Sequence, residues 1–131
     1  MLPHNYRFTV QNACGQTIAI SGAMVKMRRW KRASDGSVSF ESSEALVLEN
    51  TGTLATATFL DGTVQDNSSL KWEGGTVCFE VTAPASASGP VVLLFKRSCD
   101  GGTDFDDDMH AIEVERLYFS TSGSKRLTFQ L

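Results

Sequence analysis

Asp100, Asp104, Asp106, Asp107 and Asp108 place five carboxylates within nine residues, and oxygen ligands at such density are what a calcium ion takes. Asp104, Asp106 and Asp108 are the candidate metal ligands, and calcium is the one cofactor this chain invites. The spacing is not that of an EF-hand, because no Gly occupies the central turn and no Glu closes the loop. Two other uses of the same charge are a solvated loop tip and a contact, centred on Asp107, with a basic protein surface. A matching surface exists in the same chain: Lys26, Arg28, Arg29, Lys31 and Arg32 are five cations within seven residues, with Trp30 among them. A basic strand and an acidic loop on one small protein are complementary, so these cations and Asp107 are the candidate interaction residues, joining copies into a homo-oligomer. Stacking on Trp30 would be the route to a nucleic acid. A net charge of -3 supplies no long-range field for a polyanion, so nucleic acid is not the expected partner.

A nucleophile, base and orienter can be written down as Cys99, His110 and Asp106, but nothing in their spacing requires them to meet. No catalytic residue is assigned, and the chain is expected not to be an enzyme. Its three cysteines, Cys14, Cys78 and Cys99, are an odd number without CxxC spacing, which suits neither a disulfide framework nor a zinc site. Reduced thiols are expected, with Cys78 a small side chain in a strand.

The elements that must carry these groups are strands. Apolar residues occupy every second position in Tyr6-Phe8-Val10, Val38-Phe40, Val77-Phe79-Val81 and Leu127-Phe129-Leu131, with polar residues between them, the pattern of half-buried antiparallel strands. Further strands are expected over 17–20, 23–32, 45–48, 54–59, 70–72, 91–97 and 112–120. Breakers such as Ser34-Asp35-Gly36, Asn50-Thr51-Gly52, Leu60-Asp61-Gly62 and Glu73-Gly74-Gly75 separate them. Residues 43–49 read either as a short helical turn or as a buried strand. No segment carries a helical stripe long enough for a crossover, so the expected fold is all-β, an antiparallel β-sandwich or jelly roll of about eight strands with little helix. Residues 1–131 form a single domain on this reading, with Leu93, Phe95, Phe79, Val81, Val114 and Phe129 in its core. The acidic group then heads a hairpin between 91–97 and 112–120, while the basic strand, charged on both faces, belongs near a sheet edge. No run approaches the roughly 20 apolar residues of a membrane-spanning helix. The first seven residues lack a secretory signal, so membrane insertion is not expected and synthesis in the cytoplasm is.

Two resemblances sharpen this reading. Ser98-x-Asp100-x-Gly102-x-x-Phe105 resembles the Asp-box hairpin of sialidase propeller blades and other β-rich carbohydrate-active proteins, in which Ser and Asp brace a turn and Gly supplies a positive φ. A single copy implies scaffolding, not a propeller or a sialidase site. Over most of its length, through Tyr6-Arg7-Phe8-Thr9-Val10, Phe79-Glu80-Val81-Thr82-Ala83-Pro84, Leu94-Phe95-Lys96-Arg97-Ser98 and Gly123-Ser124-Lys125-Arg126-Leu127-Thr128-Phe129, the chain resembles small β-sandwich virion structural proteins of tailed bacteriophages. That resemblance implies a capsid decoration or cement protein or a tail-associated component, partnered by other virion proteins and assembled in the host cytoplasm. The alternative is a carbohydrate-binding β-sandwich module, calcium-dependent through the acidic loop, with Trp72 and Tyr118 as its stacking platform.

Overall fold

The structure, a computed structural model, describes residues 2–131 in backbone and, in side chain, all of these but 21–23, 46 and 49–51. Ten strands make it up: β1 (Asn5–Asn12), β2 (Ile18–Arg32), β3 (Val38–Phe40), β4 (Ala45–Leu54), β5 (Thr58–Asp61), β6 (Gln65–Asp66), β7 (Gly74–Ala83), β8 (Gly89–Ser98), β9 (Ile112–Phe119) and β10 (Gly123–Gln130). They form an all-β sandwich of two five-stranded antiparallel sheets. Sheet A has the order β5-β1-β8-β9, with β6 also on β1; sheet B has the order β10-β7-β2-β3, with β4 also on β2. No helix long and apolar enough to cross a membrane occurs among the described residues.

Alternation decides which face of each strand meets the other sheet. Tyr6, Phe8 and Val10 on β1 are fully buried, as are Val77 and Phe79 on β7, and both sets join one core cluster with Met27, Leu48 and Leu93. Phe8 stands opposite Phe95 across the β1–β8 ladder, with ring centroids 5.4 Å apart, and the Tyr6 ring lies 5.3 Å from that of Phe95. Leu93, Phe95, Phe79 and Val81 are buried, whereas Val114 and Phe129 are half-buried and pack against the same cluster.

The strand count exceeds eight because β3 and β6 are short pieces laid against longer strands. The two segments expected at 17–20 and 23–32 are one strand, β2, of 15 residues. Its partner β4 runs through Asn50-Thr51-Gly52, a sequence that reads as a turn; the β2–β4 ladder pairs these residues with Gly22, Ser21 and Ile20, so tertiary pairing overrides local preference. The same strand takes in residues 45–49, so that segment is not helical. Residues 70–72 are not a strand. The fully buried Asn67 organises a turn there: its side-chain oxygen accepts from the Trp72 N–H at 2.7 Å, and its amide donates to the carbonyls of Trp72 at 2.9 Å and Leu2 at 3.2 Å.

Candidate interaction surfaces

Alternation along β2 sorts the five cations. Lys26, Arg28 and Arg32 point with Trp30 to the outer face of sheet B, while Arg29 and Lys31 fall on the other face. The strand is not at an edge: β7 lies on one side of it, and β3 and β4 on the other. Arg29 is therefore only 7% exposed. Its guanidinium pairs with the Glu41 carboxylate and donates to the Tyr6 hydroxyl at 3.4 Å and to Gln65 Oε1 at 3.3 Å, while its backbone N–H donates to Glu41 Oε2 at 2.8 Å. Burial pushes a guanidinium toward neutrality, yet the bonds to Glu41 and Tyr6 more than offset this and raise its pKa, so Arg29 stays charged. Burial pushes the Tyr6 hydroxyl up as well. Lys31 donates to the Leu70 carbonyl at 3.3 Å and stands 4.9 Å above the Trp72 ring. Arg29 thus serves the core and Lys31 a local turn, which leaves Lys26, Arg28 and Arg32 of the expected set to face outward.

Other strands enlarge that outward surface. The register Lys26↔Cys78 and Cys78↔Thr128 runs across β2, β7 and β10 and brings Arg126, opposite Glu80, onto the same face. From β3 come Val38 and Phe40, 45% and 57% exposed, with the Arg28 guanidinium 5.6 Å from the Phe40 ring. Trp30 lies across Gly74 of β7, where a Cβ would come within 2.8 Å of the Leu131 carbonyl oxygen and 3.0 Å of the indole; only glycine leaves room for both. A groove of about 350 Å³ runs between Lys26, Arg28, Phe40 and Arg126, and a neighbouring one of about 430 Å³ between Phe40, Trp30 and Arg32. Lys26, Arg32 and Arg126 have no carboxylate within 4.0 Å among the described residues. Arg126, Val38 and Phe40 escaped the sequence reading as site residues. Their signal was outward phase in strands whose neighbours only the sheet order reveals.

The acidic segment does not project as a hairpin head. Ser98 Oγ donates to Asp100 Oδ1 at 2.7 Å and accepts from the Gly102 N–H at 3.0 Å, while Asp100 Oδ1 also accepts from the N–H groups of Thr103 and Asp104 at 3.2 and 2.9 Å. These bonds hold the Asp100 carboxyl below its ordinary range, the Asp104 N–H contributing most, and Gly101 and Gly102 take φ of 79° and 90°. The turn sends Phe105 under the Arg7 guanidinium, 4.4 Å away. The loop then returns along sheet A. Asp106 accepts from the backbone and side chain of Arg97 at 3.0 and 3.3 Å, Asp108 pairs with Lys96, and Asp107 meets His110 Nδ1 at 2.6 Å. Lys96, on the opposite face of β8 from Leu93 and Phe95, is 4% exposed because it is held between Asp108 and Asp61. Desolvation raises the Asp61 carboxyl, but the Thr9 hydroxyl, Lys96 and Arg7 outweigh it and leave the pKa lowered.

Asp106 and Asp108 are thus turned to different cations of the chain, Arg97 and Lys96. Among the described residues no three His, Cys, Asp or Glu side chains are grouped as a metal ion would need, Asp104, Asp106 and Asp108 included. Cys99, His110 and Asp106 are likewise not assembled, since His110 engages Asp107 while Asp106 engages Arg97. Trp72 is buried beside Asn67 whereas Tyr118 is exposed on β9, and the two form no common platform. What the loop leaves open to solvent is charge together with one apolar side chain, Met109, 91% exposed. No known protein family, characterised protein or solved structure matches the chain.

Proposed function

We propose that this protein is a non-enzymatic virion structural component of a tailed phage, working through protein–protein assembly. The observation that carries the assembly role is the outer face of sheet B. There the exposed Val38 and Phe40 and the half-buried Trp30 form an apolar strip among Lys26, Arg28, Arg32 and Arg126. An apolar surface rimmed by polar groups marks an association site, and aromatic residues and Arg are the types enriched where proteins meet. The virion setting rests on the resemblance of β1, β7, β8 and β10 to phage structural proteins.

Mass spectrometry of gradient-banded particles from cells expressing the chain tests this reading. The protein is expected in the particle band, and the double variant Arg28→Glu with Phe40→Glu is expected to leave it while keeping its strand-type circular dichroism. Absence of the wild-type chain from the band, combined with saturable binding to immobilised glycans, would replace this reading with a carbohydrate-binding one.

A further inference from the structure

We infer that the occupant of the basic groove on sheet B is the acidic loop of a second copy, with Met109 seated beside Phe40, so that copies join head to tail; this rests on the assembly reading above. Two observations lead to it. The first is charge. The loop's five carboxylates meet two permanent cations within the chain, Lys96 and Arg97, and Asp104 and Asp107 lie exposed on it. On sheet B the surplus is reversed, with Lys26, Arg28, Arg32 and Arg126 set against Glu44 and Glu80.

The second is apolar shape. Met109 is the most exposed of the large hydrophobic side chains among the described residues and stands beside Asp107 and Asp108. The groove that would receive it has an exposed aromatic wall, Phe40, flanked by Arg28 and Arg126. A flexible thioether against an aromatic ring is a favourable contact, and its neighbouring carboxylates would then reach the cations on either side. Loop and groove therefore match in both charge and apolarity.

Geometry fixes the kind of assembly. The loop is fastened to the outward residues Arg7 and Lys96 of sheet A, and the groove lies on the outer face of sheet B, so the two surfaces point away from each other across the sandwich. A contact between them is heterologous: every copy added leaves one loop and one groove free, and growth stops only by closing a ring.

Sedimentation velocity on three proteins tests this. The wild type is expected to sediment above monomer mass and to dissociate in about 1 M salt, where the Debye length falls to about 3 Å. A groove variant, Arg28→Ser with Phe40→Ser, and a loop variant, Asp104→Asn with Asp107→Asn and Met109→Ser, are each expected to be monomeric, weakened by about thirtyfold or more. An equimolar mixture of the two is expected to give a heterodimer and nothing larger, because one supplies the intact loop and the other the intact groove; this rescue also shows that both are folded. Three results would overturn the inference: a wild type monomeric at every concentration, a loop variant that remains oligomeric, or a mixture that remains monomeric while each protein shows a folded spectrum. A wild type that stays monomeric yet retards a single-stranded oligonucleotide would assign the groove to nucleic acid instead. Particle incorporation without self-association leaves the virion reading standing and removes this inference, and self-association without incorporation does the reverse.

Discussion

Arg28 and Arg29 are neighbours in sequence with opposite fates, because a strand turns successive side chains to opposite faces. Arg28 is left on a surface, and Arg29 is drawn into the sandwich with Glu41 as its counter-charge. Removing one partner of such a pair strands the other charge away from water, so Glu41→Ala should lower unfolding stability by about 3 to 5 kcal/mol, read from urea midpoints. A loss within a few tenths of a kcal/mol would mean that Arg29 reaches solvent. At Asp61 the folded pKa lies below the ordinary 3.8, so the ionised form is favoured in the folded state. The stability this contributes is complete above pH 3.8 and is lost as the pH falls through the lower folded value. Thermal melts between pH 5 and 2 should show this as an acid limb, shallower in Asp61→Asn; identical limbs would exclude Asp61 as a source.

At the scale of elements, Gly74 and Trp30 are one device, a glycine on β7 that makes room for an indole from β2. Gly74→Ala should crowd both the ring and the Leu131 carbonyl and cost about 1 to 3 kcal/mol by overpacking, and should alter the environment of Trp30 as read by near-ultraviolet dichroism. An unchanged spectrum at unchanged stability would show the ring to be free of the sheet. Much of this level was legible in the amino-acid order. The alternations at 6–10 and 77–81 identify the inward residues of β1 and β7 outright, because burial on one face leaves a period of two. In β9 the apolar positions shift from Ile112 and Val114 to Leu117 and Phe119, and the ladder shows why: Glu113 faces Leu94 and Glu115 faces Leu93, so Val114 is an extra residue in a bulge. The shift was visible in the sequence, but its cause lay in a partner strand. The acidic loop was the least legible part, since the groups that fold it back, Arg7 and Lys96, are distant in sequence or look solvent-facing in their own strands. Carboxylate spacing reveals nothing of cations supplied from elsewhere.

At the scale of the whole molecule, a net charge of -3 conceals a separation. Cations gather on the outer face of one sheet and carboxylates on a loop over the other, and this division, not the total, governs which surfaces attract each other. The unequal placement of β1 and β10 bears on behaviour under load. β1 is hydrogen-bonded on both sides, to β8 along its whole length and to β5 and β6 opposite, whereas β10 has only β7. A strand held in two ladders resists being drawn out more than one held in a single ladder, so tension between residues 2 and 131 should strip β10 first. In an optical trap the first step should free residues 123–131, a segment that spans at most about 30 Å at roughly 3.3 to 3.6 Å per residue, with the rest of the sandwich yielding at higher force; a single abrupt extension of the entire chain would contradict it. A protein built this way bears mechanical load from its first strand and gives way, under strain, from its last.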